Sequence, residues 1–180
     1  MYSEEFNYAV KQVLELEGVF SDDPNDRGGR TKYGITQGLW DSYLRRRGKA
    51  STDVAGISKE TAIEVYWSEF WTALQCDQIP SRLIATELFE AGVNTGVKRG
   101  AKMLQAACNY NRRPGWELLR EDGMVGPMTR RFVKRLIAEG YELPLFKAMN
   151  GEQYIWYKTI DDPYHSRGWT RRLPDPKEAT

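Results

Sequence analysis

Glu17 is followed by Asp22, Asp23, Asn25 and Asp26, by Gly28 and Gly29, and then by Thr31, Tyr33, Gly34, Ile35 and Thr36. That order of residue types suits the cutting of a glycosidic bond, which needs a proton donor on one side and a carboxylate or a held water on the other. A helix delivering Glu17, an acidic loop, and a short extended piece over 31–36 would supply both. Gly28 and Gly29 allow the chain to double back between them. Two other readings stand beside this one, a set of Asx turns and a calcium loop. The spacing lacks the alternating ligand register and terminal Glu of an EF-hand, which disfavours calcium.

The element that must present Glu17 precedes it. Ser3 is placed as an N-cap, Glu4 and Glu5 suit the positive end of a helix, and Phe6, Val10, Val13 and Leu14 recur at helical spacing. Glu17 lies four residues after Val13 and three after Leu14, so it projects from the apolar face. It also stands in the last turn before Gly18, where the helix dipole disfavours a negative charge. Burial and dipole both raise the pKa of such a carboxyl, and a carboxyl that keeps its proton near neutral pH is what general acid catalysis requires. A glutamate bent out into solvent at a helix end is the competing reading.

Glu17-Gly18, Asp23-Pro24-Asn25-Asp26, Gly28-Gly29, Thr31 and Tyr33-Gly34-Ile35-Thr36 together closely resemble the opening motif of glycoside hydrolase family 108, lysozyme-like N-acetylmuramidases of phages and bacteria. The resemblance implies Glu17 as catalytic acid and needs no cofactor or metal. By likeness to phage-type lysozymes it implies Asp26 and Thr31 beside the attacking water, with Thr36 competing with Thr31. It further implies Tyr33, Asp23 and Thr36 as substrate-binding residues. The implied fold is mainly α, a lysozyme-like α+β arrangement with a very small β element after the first helix.

Further along, residues 37–47 carry Leu39, Trp40, Tyr43 and Leu44 at helical spacing and end in three arginines suited to a C-terminus, and 49–57 reads as a polar connector. Ser58 caps a helix predicted to bury Ile63, Tyr66, Trp67, Phe70 and Leu74, with Tyr66 a lesser candidate for the cleft. Ile79-Pro80 breaks it, and Ser81 caps a helix bearing Leu83, Ile84 and Leu88, together with Glu87 and Glu90 as potential second carboxylates. Its end, Val93-Asn94-Thr95-Gly96, followed by Leu104-Gln105, resembles a second block of the same family, and Asn94 is by that likeness a substrate-binding candidate. Asp122-Gly123 leads through Gly126-Pro127 to Thr129, a pattern similar to peptidoglycan-binding modules; the alternative is a turn that only positions the helix bearing Phe132 and Leu136. Residues 144–160 read as another helix, and Gly168-Trp169 with Arg172 resembles the family's closing motif.

One compact domain is expected from 180 residues, with a catalytic half over about 1–95, a peptidoglycan-binding-like half over about 96–173 and a polar tail over 174–180. With 26 basic and 25 acidic residues the formal net charge is +1, which gives no general pull toward nucleic acid or membrane. His165 is the only histidine and Cys76 and Cys108 the only cysteines, so a multi-histidine zinc site cannot be built. The two thiols are expected to be free and buried. No secretory segment or membrane span is apparent. The expectation is a monomeric phage endolysin held in the host cytoplasm until a separate holin-like protein releases it to the wall in the periplasm. A non-catalytic peptidoglycan-binding module and a Cys/His amidase are the alternatives, the latter with Cys76 or Cys108 beside His165.

Overall fold

The computed structural model describes residues 1–16, 20–21 and 29–160. The chain divides into two compact units, Met1–Ala73 and Leu74–Thr180. In its described residues it is mainly α, with one very small antiparallel sheet after the first helix.

In the first unit α1 (Glu4–Leu16) starts where the Ser3 hydroxyl accepts the Phe6 amide at 3.4 Å. Its apolar stripe buries Phe6, Ala9, Val10 and Val13. Phe6 alone, with no exposed surface, contributes about 1.5–3 kcal/mol by leaving water. Its ring packs against Tyr2, Trp67 and Trp71 at centroid distances of 5.1, 4.9 and 5.4 Å. Three two-residue strands follow, β1 (Phe20–Ser21), β2 (Thr31–Lys32) and β3 (Ile35–Thr36), paired antiparallel in that order. Helix α2 (Gln37–Arg46) begins at once, with the Thr36 hydroxyl accepting the Leu39 amide, and ends in arginines as the dipole favours. The segment 49–57 contains a single tight turn, Val54–Gly56.

Helix α3 (Lys59–Tyr66) is capped by Ser58 and then widens into one π turn, Trp67–Trp71, closed by the Thr72 amide on the Trp67 carbonyl at 2.9 Å. This corrects the continuous stripe expected from sequence. The extra residue changes the phase only from the wide turn onward, where Trp71 is buried along with Phe70 and the expected Leu74. Ahead of it Ala62 and Val65 take the buried face that Ile63 was expected to share. Ala62, Val65, Tyr66, Phe70 and Trp71 are buried, whereas Ile63 and Trp67 keep partial exposure.

The second unit begins with a short turn, Cys76–Gln78, before α4 (Arg82–Thr95), which Ser81 caps through the Ile84 amide. Gly96, at φ +91°, turns the chain into α5 (Val97–Tyr110). Helices α6 (Pro127–Ala138) and α7 (Glu142–Ile160) complete it, α6 with Pro127 in its first turn. Ile84, Leu88, Phe89, Leu104, Leu145 and Met149 are buried here. Helices α4 and α5 meet backbone to backbone: a Cβ on Gly100 would lie 2.8 Å from the Gly92 nitrogen and 2.9 Å from its Cα.

Gly100→Ala is accordingly expected to destabilise, even though alanine is the better helix former, because the obstacle is backbone and cannot swing aside. A loss of about 1–3 kcal/mol should appear as a lower urea midpoint; an unchanged or raised midpoint would show that the two helices separate freely.

Candidate active site

The described part of the site is a hairpin and the platform beneath it. In register, Thr31 pairs with Ser21 on one side and Thr36 on the other, and Lys32 pairs with Phe20 and Ile35. The turn between β2 and β3 is just Tyr33 and Gly34, both with positive φ, 51° and 75°. That is the two-residue turn whose twist matches a hairpin, and it favours Asn-Gly over Tyr-Gly. A tyrosine there carries roughly 1–2 kcal/mol of backbone strain. The Tyr66 hydroxyl holds it, donating to the Tyr33 carbonyl at 3.0 Å. Tyr66, 1% exposed, is therefore an anchor below the hairpin and not part of a cleft surface.

The segment 49–57, which sequence reasoning passed over as a connector, is that platform. Arg30 pairs with Asp53 at 2.7 Å, and the Lys32 ammonium donates to the Ala55 carbonyl at 2.6 Å. The Gln37 amide group donates to the Thr52 carbonyl at 2.9 Å and accepts the Val54 amide at 2.8 Å, while the Trp40 indole N–H donates to the Thr52 hydroxyl. Asp53 is held below the usual carboxylate range, first by the Ala55 backbone amide and then by Arg30. The spacing of Arg30, Lys32 and Gln37 gave no sign of this, because their partners lie 15–23 residues away.

Thr31 and Thr36 are directly opposite on one face of the sheet. Their hydroxyls are used differently. Thr31 donates to the Gly29 carbonyl at 3.0 Å, while the Thr36 oxygen accepts the Leu39 amide at 3.3 Å. Glu17, Asp22, Asp23 and Asp26 lie outside the described residues. Asn94 stands, half-buried, in the last turn of α4 in the second unit.

Glu87 and Glu90, one helical turn apart on α4, are both buried. At 1% exposure Glu87 has no access to a solvent-filled cleft, and neither of its carboxyl oxygens finds a hydrogen bond among the described residues. Burial, reinforced by Glu90, pushes its pKa from the ordinary 4.5 to about 8. Burial pushes Glu90 to about 7. The thiols are equally withdrawn: Cys76 and Cys108 are buried and unpaired, and burial pushes Cys76 well above its ordinary value and Cys108 to about 12. A thiol held in that state is a poor nucleophile, which counts against the amidase alternative. His165 and the closing motif at 168–172 lie outside the described residues. Among the described residues no three Asp, Glu, His or Cys side chains gather as a metal site.

The Asp122-Gly123 motif turns inward. The Gln105 amide nitrogen donates to Asp122 at 2.9 Å, to the Met124 carbonyl at 3.0 Å and to the Thr129 hydroxyl at 3.2 Å, while its oxygen accepts the Gly123 amide at 2.9 Å. One turn on, Asn109 brackets Leu119 in the same way, bonding both its carbonyl and its amide. The motif's polar groups thus build a loop against α5, which agrees with the positioning alternative.

Residues 10–96 match the sequence profile of the family described as glycosyl hydrolase 108. No curated protein matches the chain. Among solved structures, that of Brucella abortus SagA superposes with a TM-score of 0.76 over 93% of this chain and 88% of that one, at 24% identity. The shared feature at that identity is the fold.

Two outcomes are expected. Tyr33→Asn should raise stability by about 0.5–1 kcal/mol by relieving the strained turn, yet lower binding to purified sacculi through loss of the ring; a thermal midpoint that falls would mean that the ring's contacts outweigh the strain. For Glu87 and Glu90 the folded state holds its protons to higher pH than the unfolded chain does. Stability is therefore greatest below about pH 4.5 for these groups and falls as pH rises through about 7 to 8. Urea midpoints across that range should decline less steeply in Glu87→Gln than in the parent, and identical slopes would refute the assignment.

Proposed function

We propose that this chain is a peptidoglycan-directed glycosidase and an N-acetylmuramidase, on the support of the match of residues 10–96 to the glycosyl hydrolase 108 profile. The bond cut is the β-1,4 link between N-acetylmuramic acid and N-acetylglucosamine. The observation that carries this reading is the reach of the match, which takes in Glu17, the acidic loop, the hairpin, its platform and Asn94 in one stretch.

In this mechanism Glu17 protonates the glycosidic oxygen as the bond to the anomeric carbon breaks. A water held by Asp26 and Thr31 adds to that carbon and gives up its proton to the Asp26 carboxylate. The hairpin supports the choice of Thr31 over Thr36. With its proton engaged by Gly29, the Thr31 oxygen keeps both lone pairs to accept from a water, whereas the Thr36 oxygen, already accepting the Leu39 amide, keeps one. Tyr33 at the turn, with Asp23, Asn94 and Thr36 as further contacts, holds the glycan. The reading extends to a monomeric lysin of phage type that reaches the wall through a separate membrane-permeabilising protein; no helix among the described residues is long and apolar enough to cross a membrane.

The test is Glu17→Gln on purified sacculi, followed by borohydride reduction and mass spectrometry of the released fragments. The parent should release fragments ending in reducible N-acetylmuramic acid. The variant should fold normally and lose at least about a hundredfold in rate. Lysis retained by the folded variant would overturn the role of Glu17, and reducible glucosamine ends would overturn the bond assignment.

A further inference from the structure

Helices α4 and α7 pack against each other in the second unit, and the contact between them holds three oxygens without a hydrogen bond among the described residues. Two are the carboxyl oxygens of Glu87, near the middle of α4, and the third is Oδ1 of Asn150, at the middle of α7. Asn150 is the side chain that α7 sets against the Glu87 carboxyl. Buried polar atoms are almost always bonded, because a group taken out of water without a new partner is strongly disfavoured. Three in one contact call for a common explanation.

The chemistry of the two groups supplies it. An ionised carboxylate only accepts, and so does an amide oxygen, so a charged Glu87 leaves both sides without a donor. Turning the amide over would bring its nitrogen to the carboxylate, but that nitrogen already donates to the Phe146 carbonyl, one turn back, at 3.0 Å. A turned amide would set its oxygen against that carbonyl instead. Thr86, whose hydroxyl is also unbonded, is the adjacent residue on α4 and faces about 100° away around the helix. The remaining donor is the carboxyl itself in its protonated form, with an O–H to give to Asn150 Oδ1. The surroundings favour that form. On α4 the neighbour is Glu90, itself buried, which opposes a second negative charge. Beyond Asn150, α7 carries Tyr157, bonded to Gln153 at 2.6 Å, with Lys147 exposed and Glu152 half-buried. Helix α5 brings the buried thiol of Cys108, its Lys98, Arg99 and Lys102 all being exposed, and the turn at 76–78 brings buried Cys76 and exposed Asp77. None of these cations acts on Glu87.

We infer that Glu87 is held neutral and donates its proton to Asn150 Oδ1, a latch that fastens α7 to α4 and releases it in alkaline solution. Loss of the proton breaks the bond and leaves a negative charge facing one acceptor and a second carboxyl, so both changes push the two helices apart. The direction follows from burial, which raises the Glu87 pKa from the ordinary 4.5 to about 8. The stabilisation is complete below about pH 4.5, where the unfolded chain is also protonated, and is lost as pH rises through about 8. The latch thus names the acceptor of the proton and the helix that responds to its loss. It rests on the packing of the second unit alone and stands whether or not the chain cuts glycan.

The experiment follows backbone amide exchange of the full chain at pH 6 and pH 9, expressed as protection factors so that the intrinsic rise of exchange with pH cancels. Amides of α7 should lose at least about tenfold in protection between the two, while those of α1 in the first unit change little. Glu87→Gln offers Asn150 Oδ1 a donor that does not titrate, so its α7 protection at pH 9 should exceed the parent's. At pH 6 the infrared spectrum of the parent should contain a protonated-carboxyl band that Glu87→Gln removes and Asn150→Ala shifts. If the alanine variant fails to fold, the parent and Glu87→Gln carry both readouts. A fall in α7 protection as large in Glu87→Gln as in the parent, a fall confined to the first unit, absence of the Glu87 band at pH 6, or a band that Asn150→Ala leaves in place would each overturn the latch.

Discussion

A tyrosine hydroxyl buried in protein must find an acceptor, and in the first unit the Tyr66 hydroxyl finds the carbonyl of Tyr33. That single bond fixes a turn whose two central residues both have positive φ. That turn sets the register in which Thr31 faces Thr36. A sheet of three two-residue strands is too small to hold its own geometry. Its shape is borrowed from α3, which supplies Tyr66, and from the platform at 52–55, which receives Arg30, Lys32 and Gln37. Each of these bonds contributes only about 0.5–1.5 kcal/mol, and their effect lies in converging on the stretch 30–37.

The strained Tyr33 makes sense only within that frame. Asparagine would sit in the turn at lower cost, so the side chain is retained against the preference of the backbone. Thr36 shows a different economy, because one residue ends β3, faces Thr31 and caps α2. Its oxygen thereby accepts one bond and keeps one lone pair, where the Thr31 oxygen, donating to Gly29, keeps two.

What could be read from sequence was whatever depends on neighbours within about four residues. Ser3, Ser58 and Ser81 were recognisable as caps because the amide each accepts lies three positions on. The start of α6 at Pro127 and the small β element after α1 were legible for the same reason, whereas the α3 stretch ends at Trp71, ahead of the break expected at Ile79-Pro80. The π turn at Trp67–Trp71 was not, since nothing in the spacing of Ile63, Tyr66, Trp67 and Phe70 distinguishes a widened turn from a regular one. Gln105 and Asn109 were equally silent. A buried amide on an apolar helix becomes intelligible only when the loop it satisfies, at 119–129, is seen folded over it. Of the hairpin, residues 31–36 were legible by type and spacing as a short extended piece, while the platform at 52–55 was hidden by sequence distance.

The near-zero net charge conceals the most consequential arrangement in the second unit. Helix α4 keeps two carboxyls out of water, where each favours its neutral form, while the first turns of α5 carry three cations in the open with no carboxylate of their own. Had the chain been selected for stability alone, the simplest relief would be an acidic residue at position 97 or a capping side chain at 96, either of which would satisfy the helix end. Gly96 excludes the second by its backbone, since φ of +91° is open to glycine and disfavoured for a side chain. The close packing of Gly92 against Gly100 just inside the two helices fixes where that turn must fall. The uncapped start of α5 is therefore built into the way α4 and α5 meet at Gly96.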